Sequence, residues 1–275
     1  MIYQLTQTKY NWQVVALIVL SIPVIMATVF LPPAVDWTLV YRPACTELLH
    51  LRNPYHIKGF MNPPWALIPL IPLSILPMQV SRGVLIVISF VSLALVARKL
   101  RLSHIITVLW LLSPPVLASL YAGNLEWLVF LGLLLPRRMG ILLLVLKPQV
   151  GIGVIVLWMI EAWCKDRWKG LMQLLWPTIF AFVVSFVAFG PWPLYCTRPT
   201  EAYHMGRSFF PLSLVVGLPL LALAIWKRDV RYALSSGPYL APYAMLHSWA
   251  GVLLSIQSPV TMLVSVIAMW IEGVL

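Results

Sequence analysis

"VDWTLVYRPACTELLHLRNPYHIKGFMNPPW", residues 35–65, decides how this chain is threaded. It follows directly on an apolar run, 14–31, and brings together Asp36, Arg42, Arg52, His50, Asn53 and Asn62 before two adjacent prolines. Either it is a polar loop between two membrane spans, or it begins a segment that stays on one face of a membrane. The charges elsewhere in the chain separate these readings.

Of the 275 residues, 61% are hydrophobic and only 10% are charged. Soluble domains carry about 25% charged residues, so the composition implies an integral membrane protein. The run 14–31 is close to the roughly 20 residues that cross a bilayer. No clean small-residue cleavage site follows it, so it is expected to remain as a span. In a membrane protein the net charge of +11 bears on orientation, not on nucleic acid, and no nucleic-acid partner is expected. No linker, repeat or low-complexity tract divides the chain. The expectation is a single transmembrane domain over 1–275, with an outer-face loop and interfacial helices at about 32–82.

Apolar stretches fall near 13–31, 64–79, 83–97, 104–121, 125–136, 140–163, 171–189, 209–226, 231–256 and 259–273. Basic clusters lie at 98–101, 137–138, 165–169 and 227–231, and the positive-inside rule wants all four on the cytoplasmic side. Counting every stretch as one crossing strands "RKLR" outside. Parity is restored if 64–79, which carries Pro64, Pro69, Pro72 and Pro77, lies at the outer surface instead of crossing. It is restored further if 140–163 breaks at "LKPQVG", where a lysine, a proline and a glycine interrupt the apolar pattern. Twelve of the nineteen basic residues then fall inside, Lys9 among them. The order after residue 231 stays open. The expected fold is an all-α polytopic bundle in the cell's inner (plasma) membrane, with broken and interfacial helices on its outer face. That threading gathers the 35–65 stretch, Gly123-Asn124, Lys147 and the 242–247 segment on the outer side, as sites built from discontinuous helices require.

Eight acidic residues are present. Asp36 stands at the outer mouth of the first span, where it fits two roles: a general base for a hydroxyl, or the N-cap of the helix that follows. Glu126 is an acid at membrane depth, which implies function unless it reaches the surface. Lys147, beside a proline break, is placed either to meet an anion or to extend to the interface. Cys45 and Cys196 both fall in outer loops, paired or as free thiols. The histidines lack metal-ligand spacing.

Asp36, Tyr41, Leu48-Leu49, Asn53-Pro54-Tyr55, Phe60, Asn62-Pro63-Pro64-Trp65 and Pro69 together resemble the first outer loop of GT-C glycosyltransferases. The pattern is most similar to the polyprenyl-phosphate-mannose-dependent alpha-mannosyltransferases, glycosyltransferase family 87. "AGNLEWLVFLGLLL" (122–135) and "LKPQVGIGVIVLW" (146–158) resemble two further helix starts of that family, and "LAPYAMLH" (240–247) a late segment. The resemblance implies a GT-C-like bundle that transfers mannose or a similar hexose from a polyprenyl-phosphate donor to a lipid or glycan acceptor. It implies Asp36 as catalytic base and Lys147 beside the donor phosphate. Tyr41, Arg42, Asn53, Tyr55, Asn62, Asn124, Glu126, Gln149 and His247 become candidates for binding the donor phosphate or the substrates. No metal or other cofactor is expected. Because only one acid lies at the motif position of the loop, a second reading stands beside the first. It is a catalytically degenerate scaffold that binds membrane lipids or serves a membrane-protein partner.

Overall fold

The computed structural model describes residues 33–196 and 209–274, with Ile22 and Phe30 as isolated positions. The first apolar run, and Arg198, Glu201, His204 and Arg207 of the late loop, lie outside the described residues. Among the described residues every regular element is helical.

The 35–65 stretch folds into short, tightly braced pieces. A π-helical turn, Trp37–Tyr41, runs into α1, Arg42–Leu49. Pro43 gives a local reason for the wide turn: its ring has no N–H and crowds the carbonyl four residues back. Trp37 and Tyr41 both point inward and are buried. Asn53 accepts from the Tyr55 amide at 3.0 Å and opens the 3-10 turn Pro54–His56.

The proline-rich segment that follows is too short to cross a bilayer by itself. It forms a 3-10 helix, Pro64–Leu70, and one turn of α-helix, α2, Ile71–Ser74. At about 2.0 and 1.5 Å per residue these reach roughly 20 Å, short of a hydrocarbon core about 30 Å thick. Proline also removes donors, so carbonyls here need other partners. Arg42 donates to the Ser74 and Leu76 carbonyls at 3.2 and 3.1 Å, and the Cys45 thiol approaches the Leu67 carbonyl at 3.8 Å. Cys45, Cys164 and Cys196 are all free thiols, and Cys45 is buried.

From Met78 the chain enters the bundle. Two helices are long and apolar enough to cross a membrane: α3, Met78–Lys99, and α8, Pro148–Phe189. A bent pair, α4 (His104–Leu111) and α5 (Pro114–Ala122), passes the same test together with a 51° bend. The 42-residue α8 breaks at Asp166 and Arg167, where the backbone leaves helical geometry, and so is two rods, 148–165 and 168–189. The second rod exposes Ile179, Phe180, Val183, Val184 and Val187, an apolar band suited to hydrocarbon.

Other apolar stretches are shorter than a crossing. The 125–136 stretch becomes α6, Glu126–Leu131, with a 3-10 turn, Gly132–Leu134. Then α7, Arg137–Leu144, returns from it. Trp127, Leu128, Val129 and Phe130 are all buried, so their apolarity serves protein packing and not lipid contact. Hydropathy does not distinguish those two environments.

A short turn, α9 (Pro193–Cys196), follows α8. The C-terminal part is a pair of hairpins. In the first, α10 (Leu214–Lys227) packs against α11 (Val230–Leu240), with Ser213 donating to the Tyr239 carbonyl at 2.8 Å. A 3-10 segment, Leu246–Ser255, doubles back along α11 until Gln257 meets Arg231 at 2.6 Å. The last helix, α12 (Pro259–Val274), returns beside the bent pair, where the Trp270 indole donates to the Leu112 carbonyl at 3.3 Å. Gly153 allows the α8–α11 contact, since a Cβ there would overlap the Ala233 carbonyl. Small residues are what let apolar helices approach so closely.

The basic clusters collect at one end. Arg137, Lys165 and Arg228 line one shared cavity. Arg98 lies seventeen residues along α3 from Ser81, roughly 25 Å at helical rise, and Ser81 touches Trp37 at the opposite end.

Candidate functional site

Five segments far apart in sequence meet at the end opposite the basic clusters. Their meeting depends on backbone breaks. The Gly123 backbone is left-handed, with φ at +68°, and ends α5; a Cβ there would stand 2.7 Å from Trp37. That turn delivers Asn124 and Glu126 into the interior. Pro148 starts α8 and leaves Lys147 as its N-cap, outside the helix. The carbonyls freed at this break are met by the 35–65 stretch and its continuation. Asn62 donates to the Leu146 carbonyl at 2.8 Å and Trp65 to that of Leu142 at 2.9 Å. The proline-rich segment therefore shields the irregular backbone, as the low-dielectric interior demands.

Asn124 is the hub. Its side-chain oxygen accepts from the Leu125 amide at 2.6 Å and from the Tyr41 hydroxyl at 3.3 Å. With the oxygen so occupied, the amide nitrogen faces Asp36 Oδ2 at 2.5 Å and His247 Nε2 at 3.1 Å. An amide has two N–H donors, one for each. His247 Nδ1 in turn lies 2.5 Å from Glu126 Oε1. The same oxygen meets Lys147 Nζ at 2.6 Å, while Ser119 donates to Glu126 Oε2 at 3.0 Å. The result is one connected path: Asp36, Asn124, His247, Glu126, Lys147.

Burial is graded along it. Glu126, Lys147, Asn124 and His247 are all buried, at 1%, 5%, 5% and 8% exposure. Asp36 is half-buried and is the acid of the path that solvent reaches. Burial raises its carboxyl above the ordinary value of 3.8, against the opposing pull of Lys147. Burial also pushes the Tyr41 hydroxyl well up, so it serves as a hydrogen-bond donor and not as an acid.

The capping role for Asp36 does not hold. Its own backbone is helical and its side chain makes no capping bond, going to Asn124 instead. Nor does Glu126 reach the surface; it is enclosed by Lys147, His247 and Ser119.

Asp36, Tyr41, Asn62, Asn124, Glu126, Lys147 and His247 therefore come together, with Tyr41 also 3.3 Å from Asn62 Oδ1. The other candidates stand apart. Arg42 braces the proline-rich segment. Asn53 caps its turn, and Tyr55 donates to the Asn62 carbonyl at 2.8 Å while stacking on Trp192 and Tyr195. Gln149 is half-buried on the first turn of α8. Arg52 pairs with Glu47 at 2.8 Å near the surface. Ser119 and Ser81 are further members, Ser81 accepting from the Trp37 indole at 3.0 Å. Their signal in the sequence is faint: each is one serine in an apolar or mixed stretch. Among the described residues no cluster of three or more His, Cys, Asp or Glu forms a metal site.

Compared with protein-family models, curated proteins and solved structures, the chain matches none of them.

Proposed function

We propose that this protein is a membrane glycosyltransferase of GT-C type, transferring a hexose from a polyprenyl-phosphate donor to a lipid or glycan hydroxyl at the outer face of the membrane. One observation carries the reading. A partly exposed carboxylate, Asp36, is tethered at 2.5 Å by Asn124 to a buried cluster of Glu126, Lys147 and His247. That arrangement supplies a fixed base, one oxygen of which is left outside the Asn124 bond.

In the reaction the acceptor oxygen attacks the sugar's anomeric carbon and loses its proton to Asp36. The bond from that carbon to the phosphate oxygen breaks, and polyprenyl phosphate leaves with the electron pair. The donor already carries a good anionic leaving group, so base and electrostatic stabilisation are the protein's contributions. Lys147 is the cation of the cluster. It contacts Glu126, so direct contact with a phosphate requires that pair to open.

That same pair favours the second reading, a scaffold that binds lipid or a partner subunit without transfer, because the acid already neutralises the cation. The deciding experiment is transfer of radiolabelled sugar from polyprenyl phosphate by the purified protein and by Asp36→Asn. Transfer that disappears in the variant supports the enzyme; equal transfer by both removes Asp36 as base. No transfer by either, with the lipid still bound, leaves the scaffold.

A further inference from the structure

A second feature lies at the basic end, away from Asp36. A cavity of about 640 Å³ opens between the 148–165 rod and the end of α10. Arg137, Lys165 and Arg228 line it, together with the apolar side chains of Leu157, Ile160 and Ile225 and with Glu161 and Cys164. Basic residues are expected on the cytoplasmic side of any membrane protein. Charge alone therefore says little, and what the individual cations do is more informative.

Neighbouring cations are already occupied. The Arg167 guanidinium lies over the Trp163 ring at 5.6 Å, and Lys227 over Tyr232 at 5.2 Å. Arg231 holds Asp229 through several bonds of 2.6–3.0 Å. Inside the cavity, Arg137 is fixed by Glu161 at 2.6 Å and by the Trp158 ring at 5.7 Å. Lys165 and Arg228 line the same space and have no acid partner among the described residues.

Arg228 occupies a costly position. It ends α10 in the left-handed conformation, with φ at +52°, where glycine is the usual residue. An arginine held there projects a cation into the cavity that a glycine would lack.

We propose that this cavity binds a phosphate-bearing anion, with Lys165 and Arg228 as its direct cations and the apolar lining of Leu157, Ile160 and Ile225 receiving an acyl chain. A phospholipid with an anionic headgroup supplies all of these parts; a free phosphate ester supplies only the charge. This site does not depend on sugar transfer.

Cys164 gives a direct readout, since it lines the cavity and is exposed while Cys45 is buried. The intact protein is placed in nanodiscs and alkylated with uncharged N-ethylmaleimide, and each cysteine is followed by mass spectrometry. Phosphatidylglycerol discs are expected to slow Cys164 alkylation relative to phosphatidylcholine discs, with Cys196 as the internal reference. Lys165→Ala and Arg228→Gly should each relieve the protection by about fivefold, the contribution expected of one cation near an anionic surface. Arg228→Gly suits the left-handed backbone, so loss of protection in that variant is not loss of fold.

Added glycerol phosphate in phosphatidylcholine discs distinguishes the sources. Protection by the lipid alone identifies a phospholipid site, and protection by both identifies a phosphate-ester site. Absence of protection in both arms, or equal protection in wild type and both variants, overturns the proposal.

Discussion

Glu126 and Lys147 meet at 2.6 Å with both side chains almost wholly enclosed. They come from either side of a helical excursion and are joined only because α5 and α7 both end in breaks. A pair this deep contributes less through its own attraction than through the cost of separating it. Removing either partner leaves an unmatched buried charge, which costs about 3–5 kcal/mol.

Glu126→Gln and Lys147→Met are each expected to destabilise the protein by roughly that amount. The double variant should lose less than the two singles together, because no lone charge remains. Thermal unfolding in detergent, read as a double-mutant cycle, measures this coupling. Strict additivity would mean that the pair is not enclosed as described.

Asp36→Asn is expected to abolish sugar transfer while holding or raising thermal stability. Burial raises the carboxyl above 3.8, so the folded state takes up a proton more readily than the unfolded chain, and ionised Asp36 opposes folding. The amide removes that cost. The stability gain of the variant over wild type should therefore be largest near neutral pH. It should shrink as pH falls through the raised value and be absent below 3.8. Melting temperatures of both proteins across this range test the sign, and the activity of wild type should fall in the same direction as Asp36 protonates.

Asn124→Asp keeps an acceptor for Tyr41 and Leu125 but removes both donors, to Asp36 and His247. It also sets a second carboxylate against the first. Transfer is expected to drop about 100-fold, the scale of a misplaced reacting group, with Asp36 still in the chain. Near wild-type turnover would show that Asp36 needs no tether.

Gly123→Ala should lower stability by more than about 1 kcal/mol, since it adds a left-handed strain to a contact of 2.7 Å with Trp37. The same change shifts Asn124, so transfer should fall with it. Melting and transfer assays on one preparation check both.

Orientation is tested by single cysteines at Leu51 and Lys99, both exposed, in a Cys164→Ser, Cys196→Ser background. An impermeant maleimide applied to intact cells should label the first and spare the second. Labelling of both from one side would refute the non-crossing proline segment.

Much of this was legible in the residues. The prolines from Pro63 to Pro77, the break at Lys147-Pro148 and the charge parity of the basic clusters together implied a segment lying along one face. The structure has that segment too short to cross. The same reasoning could not tell Trp127–Phe130, buried in protein, from residues facing lipid, because both are simply apolar. Asp36 and Lys147 stood out as charges near breaks, but their partners did not. Nothing local marks Arg42 as the brace of Ser74 and Leu76, because a carbonyl left without a donor is a property of the folded backbone.

By itself, the sequence determined the class of environment and the places where helices stop, since composition, proline and glycine act on the chain locally. Tertiary structure decided the site. Asp36, Asn124 and His247 are separated by 88 and 123 residues, and only packing brings them within hydrogen-bond reach. Burial then fixed their roles, because a charge shut away from water must find its partner in the protein. Glu126 and Lys147 found each other, and Asp36 was left partly exposed.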